Sequence, residues 1–272
     1  MVHLTCGAAS DVGRVRTVNQ DAWLAVPPVF VVADGMGGHH GGEVASGIVV
    51  EEFARLAEAG YDRRDPVPEV SACLAECQRR ILAFAAEAGA PGEYAWYAGT
   101  TVVAALACED DAGPTWLLVN LGDSRIYRLL DDELERVTVD HSLVQELVDA
   151  GVIDENQAAR HPERHVVTRA LGGPEWREPD FFMIPMTSAP RLLLCSDGVT
   201  GMLSDEELAR VLGSAEDSRE AAVGVVVASV EAGGEDNTTA VVVDVVGWSD
   251  AGPVVPRPAS PLNLERRLGD LP

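Results

Sequence analysis

Residues 101–130 read TVVAALACEDDAGPTWLLVNLGDSRIYRLL and contain three apolar, strand-like runs with no helix between them. Strands that follow one another through short turns pair antiparallel, so this stretch predicts an antiparallel sheet. Similar runs predict strands at 28–33, 190–195 and 237–246. Helical periodicity predicts helices at 43–59, 66–89, 142–150, 204–213 and 217–232. The pattern is typical of an α+β fold with sheet inside and helices outside.

Length and composition favour one large domain followed by a short tail. The 272 residues are 47% hydrophobic, which is enough to bury a substantial core. We assign the domain to residues 1–246. Within it, residues 141–168 have little strand character and are interpreted as a flap inserted over the sheet edge. Residues 247–272, GWSDAGPVVPRPASPLNLERRLGDLP, are rich in proline and small residues and are predicted to be a disordered tail.

The net charge of −24 argues against nucleic-acid binding, because a phosphate backbone is bound by clustered basic side chains. No apolar run approaches the roughly 18 residues of a membrane-spanning helix, and the N-terminus lacks a secretion signal pattern. The five cysteines are scattered and odd in number, unlike a disulfide framework. We therefore expect a soluble, cytoplasmic protein that binds neither nucleic acid nor membrane, with a monomer as the default state.

Four aspartates stand where predicted strands end or begin, two of them followed by glycine. Buried acids placed together repel one another unless cations neutralise them, so their joint occurrence predicts a metal site. Magnesium and manganese prefer oxygen ligands and retained waters. Any one of these acids could be only a turn residue, since aspartate and glycine are common in turns. The four are Asp34, Asp123, Asp197 and Asp236.

Such a site predicts hydrolysis of phosphate esters. Two ions roughly 3.5–4 Å apart lower the pKa of a bridging water, which then attacks phosphorus in line, without a covalent enzyme intermediate. The sequence has no GxSxG nucleophile motif and no GxxxxGK[ST] phosphate loop to support a rival chemistry.

At these positions the chain resembles the protein phosphatase 2C family, the PPM-type metal-dependent phosphatases, in its compact bacterial form. The resemblance runs from about residue 10 to residue 246 and implies a four-layer αββα sandwich with the metals at one end. It rests on SDVGRVRTVNQDA, VVADGMGGHHGGEVAS, AGTTVVAAL, LVNLGDSRIYRL, DHSLVQELVDAGVI, HPERHVVTRALGG, LLLCSDGVTGML and EDNTTAVVV.

The resemblance also implies roles for individual residues. Asp34 would bridge two core Mn²⁺ or Mg²⁺ ions and the Gly35 carbonyl would bind one of them. Asp197 and Asp236 would bind the other ion, and Asp123 together with Asp197 matches a third-metal position. The resemblance implies roles for two further residues. Asp21 would support the metal ligands without itself binding a metal, and Arg16 would bind the substrate phosphate.

Three positions depart from the family pattern: Gln20, Met36 and His165, the last in a place where asparagine is frequent. Gln20 replaces a frequent glutamate, which removes a negative charge beside the metals. Met36 stands where some relatives carry a histidine proposed as general acid. His39 and His40 are candidate substitutes, although histidines between glycines are more often solvated. His141, His161 and His165 are interpreted as structural hydrogen-bonders.

The leading hypothesis is a protein serine/threonine phosphatase whose partners are phosphorylated proteins, the substrates of serine/threonine kinases. The first alternative is a non-catalytic pseudophosphatase that binds phosphorylated partners, which is disfavoured because all the core acids are present. A metal-dependent nuclease would use similar acids, but the acidic charge opposes a polyanionic substrate.

Overall fold

The computed structural model describes residues 2–37, 41–88, 98–173 and 175–248. The strands, in chain order, are β1 (Val2–Asp11), β2 (Ala22–Val26), β3 (Val29–Ala33), β4 (Gly35–Met36), β5 (Gly99–Thr100), β6 (Val102–Asp110), β7 (Gly113–Leu121), β8 (Arg125–Leu130), β9 (Glu133–Arg136), β10 (Asp180–Pro185), β11 (Arg191–Cys195) and β12 (Thr238–Trp248). The helices are α1 (Gly41–Ala59), α2 (Val67–Glu87), α3 (Leu143–Asp149), α4 (Glu155–Ala158), α5 (Asp197–Thr200), α6 (Asp205–Ser214) and α7 (Ser218–Ala232).

Two antiparallel sheets form the centre of the fold. One has the strand order β1-β12-β11-β8-β9 and the other β10-β7-β6-β3-β2, and β4 pairs with β5 beside them. The antiparallel succession of β6, β7 and β8 predicted from residues 101–130 is confirmed for β6 with β7, whereas β8 enters the opposite sheet. The chain therefore changes sheet at the LGD turn.

Three apolar layers hold the sandwich together. Val103 and Ala105 of β6 point between the two sheets, whereas Val102, Ala104 and Leu106 point toward α1 and α2. This alternation explains why β6 reads as a continuous apolar run: both faces of the strand are buried. A third layer packs α6 and α7 against the other sheet. The predicted four-layer αββα architecture is confirmed.

The helix ends follow from local sequence. Ser204 accepts a hydrogen bond from the Glu207 amide while the Glu207 carboxylate accepts one from the Ser204 amide, so α6 begins at a capping box. At α7 the Asp217 side chain is the N-cap and accepts a hydrogen bond from the Glu220 amide at 2.8 Å. None of the helices in the described ranges combines the length and apolar composition needed to cross a bilayer.

The sequence did not predict β1, β2, β9 or β10. β1 and β2 lie at sheet edges and are only partly buried, so their apolar pattern is weak. β12 continues to Trp248, which pairs with Val2, so this strand includes the first two residues assigned to the tail. Residues 249–272 lie outside the described residues.

The segment predicted as a flap contains α3 and α4. Its two ends meet, because Ser142 bridges Val167 and the Thr168 amide donates to the His141 carbonyl at 2.8 Å. The segment therefore leaves and rejoins the sandwich at one place, as an insertion does. That it moves as a flap stays a prediction.

Candidate active site

The four aspartates meet at one end of the sandwich. Asp34 follows β3, Asp123 lies in the turn between β7 and β8, Asp197 begins α5 directly after β11, and Asp236 precedes β12. Because β11 and β12 are antiparallel, the end of one lies beside the start of the other. All four line a cleft of about 240 Å³, together with Arg16, Gln20, Gly35, Met36, Gly37, Thr101, His165, Val167 and Asn237.

Backbone contacts fix Asp34 so that its carboxyl group faces the cleft. Its amide donates to the Thr101 hydroxyl at 3.1 Å, and its carbonyl accepts from the Thr101 amide at 2.9 Å. The Thr101 hydroxyl also contacts the Ser124 hydroxyl at 2.7 Å, which joins this strand end to the loop that carries Asp123. Asp34 and Asp123 are thus supported by one hydrogen-bonded unit.

Gly35 and Gly198 allow close backbone approach beside the acids. A Cβ on Gly35 would lie 2.3 Å from the Gly42 carbonyl oxygen and 2.4 Å from that of Gln20. A Cβ on Gly198 would lie 2.0 Å from the carbonyl oxygen of Asn237. No side chain fits at these distances. Packing alone therefore requires glycine in both DG pairs, whether or not a ligand approaches the backbone there.

Asp236 and Arg16 contact each other directly. Arg16 Nη2 donates to Asp236 Oδ2 at 2.7 Å, and Asp236 Oδ1 accepts from the Asn237 amide at 2.8 Å. This hydrogen bond, with the Asp236 charge, raises the pKa of the Arg16 guanidinium. The predicted phosphate-binding arginine therefore stands at the mouth of the cleft, beside a predicted metal ligand.

Desolvation and mutual repulsion raise the pKa of three cleft carboxyl groups. For Asp34 the cause is first burial, then the charges of Asp21, Asp197 and Asp123. Burial also raises the pKa of Asp123 and Asp197, with the next contributions from Asp197 and Asp236 respectively. A cation bound in the cleft would offset this repulsion and favour the ionised form of these acids.

Asp21 lies behind the cleft. Its Oδ2 accepts a hydrogen bond from the Ser196 hydroxyl at 2.8 Å, whereas its buried Oδ1 has no partner among the described residues. Burial raises the pKa of Asp21 to about 7, with the charges of Asp197 and Asp236 adding to the rise. An unpartnered carboxylate oxygen beside these acids is a feature that a cation or its bound water would satisfy.

The donor set fits hard divalent cations. Within the ranges the structure describes, no three carboxylate, histidine or cysteine side chains converge to hold one ion by themselves. Mg²⁺ does not need such a cage, since it keeps several waters and binds through one or two carboxylates. The carboxylates and the Gly35 carbonyl supply oxygen ligands only, which favours Mg²⁺ or Mn²⁺ over softer metals.

The histidines differ in their positions. His141 is buried, and its Nδ1 accepts a hydrogen bond from the Gly122 amide at 3.1 Å, next to Asp123, so its structural role is confirmed. His161 accepts from the Glu163 amide, and His165 is exposed at the cleft. His39 and His40 lie outside the described residues.

Two residues of the site were not predicted from the sequence. Asn237 holds the segment that carries Arg16, and Ser196 donates a hydrogen bond to Asp21. Asn237 adjoins Asp236 in EDNTT, where an asparagine after an acid also fits a simple turn. Only contacts with residues far away in the sequence distinguish an asparagine that holds the Arg16 segment from an asparagine in a simple turn.

A second cavity of about 570 Å³ continues from the cleft. It shares Asp123, His165 and Asp197 with the cleft and extends between the 142–165 segment and the start of α6. Val144, Val148, Ala158, Ala159, Arg125, Arg136 and Arg164 are among its lining residues. The two cavities therefore adjoin each other at these three shared residues.

Comparison with known proteins gives consistent results. The family model described as protein phosphatase 2C matches residues 13–230. The chain is 39% identical over 246 residues to the serine/threonine protein phosphatase PstP of Mycobacterium tuberculosis, which covers 90% of this chain and 46% of PstP. It therefore spans about half the length of that relative. Identity to the serine/threonine phosphatase stp of Listeria innocua is 34% over 244 residues, covering 86% of this chain and 93% of stp.

Among solved structures, the catalytic domain of the serine/threonine protein phosphatase PstP in complex with two manganese ions superposes with a TM-score of 0.76. It is 37% identical in sequence, and the match covers 90% of this chain and 99% of that one. The similarity therefore includes nearly all of a domain that holds two manganese ions.

Proposed function

The chain belongs to the protein phosphatase 2C family, and on that basis we propose that it is a metal-dependent phosphatase acting on phosphoserine and phosphothreonine of proteins. The observation that carries the proposal is the convergence of Asp34, Asp123, Asp197 and Asp236 with Arg16 in one cleft. A site with four carboxyl groups and one arginine suits an anionic substrate only if cations are bound.

The family resemblance supplies the metal roles. Asp34, Asp197, Asp236 and the Gly35 carbonyl would hold two core ions, and Asp123 with Asp197 would hold a third. When bound, Mn²⁺ or Mg²⁺ supplies an activated water and neutralises phosphate charge. Asp21, whose Oδ1 lacks a partner among the described residues, would accept hydrogen bonds from the hydration shell.

Arg16 would bind two phosphate oxygens through its planar guanidinium fork. Its side chain is 55% exposed, so it can reach a phosphate that enters from solvent. The charge it places there also stabilises the transition state, in which negative charge grows on the phosphoryl oxygens.

The open depression supports protein substrates. The cleft admits a phosphorylated side chain, and the adjoining 570 Å³ cavity offers room for neighbouring residues of the substrate. Opposition to serine/threonine kinases, a monomeric state and a cytoplasmic location stay predictions.

The test is hydrolysis of a phosphothreonine peptide by the purified chain with Mn²⁺, with Mg²⁺ and with chelator. We expect turnover that requires metal and is abolished by Asp34→Asn. Asp111→Asn is the matched control, because Asp111 is fully exposed in the turn between β6 and β7 and does not line the cleft. A folded wild-type protein that binds phosphopeptide and metal but releases no phosphate would refute the proposal and favour a phosphoprotein-binding function.

A further inference from the structure

Asn237 makes three hydrogen bonds to one distant segment of the chain. Its Nδ2 donates to the carbonyl oxygens of Val12 and Val18, each at 3.0 Å, and its Oδ1 accepts from the Gln20 amide at 2.9 Å. The side chain is buried, with 5% of the residue exposed. The four residues of this contact lie in the segment that joins β1 to β2 and in the turn before β12.

That segment carries Arg16 between the two carbonyl groups that Asn237 contacts. Residues 14–18 are exposed, so packing against the sandwich does little to fix them. Arg14 gives one more attachment, through its amide to the Gly234 carbonyl at 2.7 Å. The buried Asn237 side chain therefore holds the backbone on both sides of Arg16.

The same residue directly follows Asp236. Its own amide donates to Asp236 Oδ1, and its carbonyl oxygen lies against Gly198, next to Asp197. Asn237 thus joins the two halves of the proposed site: the aspartates on one side and the arginine segment on the other.

We propose that Asn237 is a positioning residue that sets where Arg16 stands relative to the aspartates, and so determines affinity for the substrate phosphate. The inference rests on the proposed function in taking phosphate as the ligand and Arg16 as a residue that binds it. An asparagine side chain offers two N–H donors and one acceptor, which matches two carbonyls and one amide, whereas aspartate offers acceptors only.

The effect would act through Arg16. A bidentate arginine contact depends on orientation, and a displacement of about 1 Å in a reacting site can cost roughly 100-fold. Loss of both carbonyl contacts should therefore weaken phosphate binding, while the aspartates, which are held by strand ends, keep their metal affinity.

The experiment is a double-mutant cycle on the full chain with inorganic phosphate as probe. Calorimetry measures Mn²⁺ binding, then phosphate binding to the Mn²⁺-loaded protein, for wild type, Asn237→Ala, Arg16→Ala and the double variant. We expect Asn237→Ala to weaken phosphate binding about tenfold, with Mn²⁺ affinity changed less than threefold. In the Arg16→Ala background the same substitution should have no further effect. The matched cycle with Arg14→Ala should be additive.

Turnover separates this inference from the proposed function. If the wild type binds Mn²⁺ and phosphate without hydrolysing phosphopeptide, the proposed function fails and the cycle still tests Asn237. If Asn237→Ala does not fold, Asn237→Asp keeps the side-chain shape and the Gln20 contact while removing both donations. Unchanged phosphate affinity in the folded variant, or additivity with Arg16→Ala, would overturn the inference.

Discussion

Gly198→Ala is expected to damage the site through backbone displacement alone. The new Cβ would lie 2.0 Å from the Asn237 carbonyl oxygen, whereas real Cβ atoms keep at least about 3.0 Å from their neighbours. The start of α5 and the Asn237 carbonyl must therefore separate by about 1 Å, the difference between these values, which displaces Asp197, Asn237 or both. No charge, donor or acceptor changes.

The magnitude follows from this displacement. Overpacking of this kind costs about 1–3 kcal/mol, and about 2 kcal/mol corresponds to a fall of roughly 4–8 °C in Tm for a domain of this size. A shift of about 1 Å in a catalytic group reduces turnover roughly 100-fold. Thermal unfolding and phosphothreonine-peptide hydrolysis with saturating Mn²⁺ measure the two effects separately.

Gly47→Ala is the matched control. A Cβ on Gly47 would meet nothing within 4 Å, and the residue lies inside α1. Alanine is the better helix former, so this variant should gain roughly 0.5–1 kcal/mol of stability and keep full activity. Wild-type stability and turnover in Gly198→Ala would refute the close approach between α5 and Asn237.

Three further outcomes follow from the structure. Mn²⁺ at 100 times its Kd should stabilise the wild type against thermal unfolding by about 2.7 kcal/mol. Chelator or the Asp34→Asn substitution should remove that gain. An equal gain in the Asp34→Asn variant would exclude Asp34 as a ligand. Asp140→Ala leaves the Arg125 guanidinium without its carboxylate and should cost about 3–5 kcal/mol in urea unfolding, against less than about 0.5 for the exposed Asp111→Ala; equal losses would contradict this. Gln78→Ala removes two buried hydrogen bonds of 2.7 Å to the 172–173 loop and should cost about 1–3 kcal/mol, whereas an unchanged unfolding midpoint would show that the loop is held otherwise.

The sequence predicted the strands that are buried on both faces and the acids at their ends. The apolar runs of β6 and β12 are recognisable from sequence alone, because residues 102–108 and 238–243 are all buried. β1 and β10 lie at sheet edges, and β10 follows a stretch without regular structure. Their strand character comes from pairing with β12 and β7, which the local sequence does not record.

The participants of the candidate site were predictable, but their mutual contacts were not. Asp34 and Asp197 are each recognisable beside a glycine at a strand end. That Arg16 pairs with Asp236, 220 positions away, depends on how β1 and β12 align, and that alignment is set by the sheet as a whole. Asn237 was not predicted for the same reason. The three backbone groups that its side chain contacts lie more than 200 positions earlier in the sequence.

The two sides of the cleft are supported differently, and this should separate their effects on catalysis. Asp34 is held by backbone hydrogen bonds at the ends of buried strands, so changes there alter the metal centre and hence kcat. Arg16 stands on an exposed stretch, and the buried Asn237 side chain holds the backbone on both sides of it. Weakening the Asn237 hydrogen bonds leaves the metals in place and lowers the affinity for phosphate. KM should therefore rise more than kcat falls. A substitution in the segment that lowered kcat alone would show that Arg16 acts mainly in the transition state, with little contribution to ground-state binding.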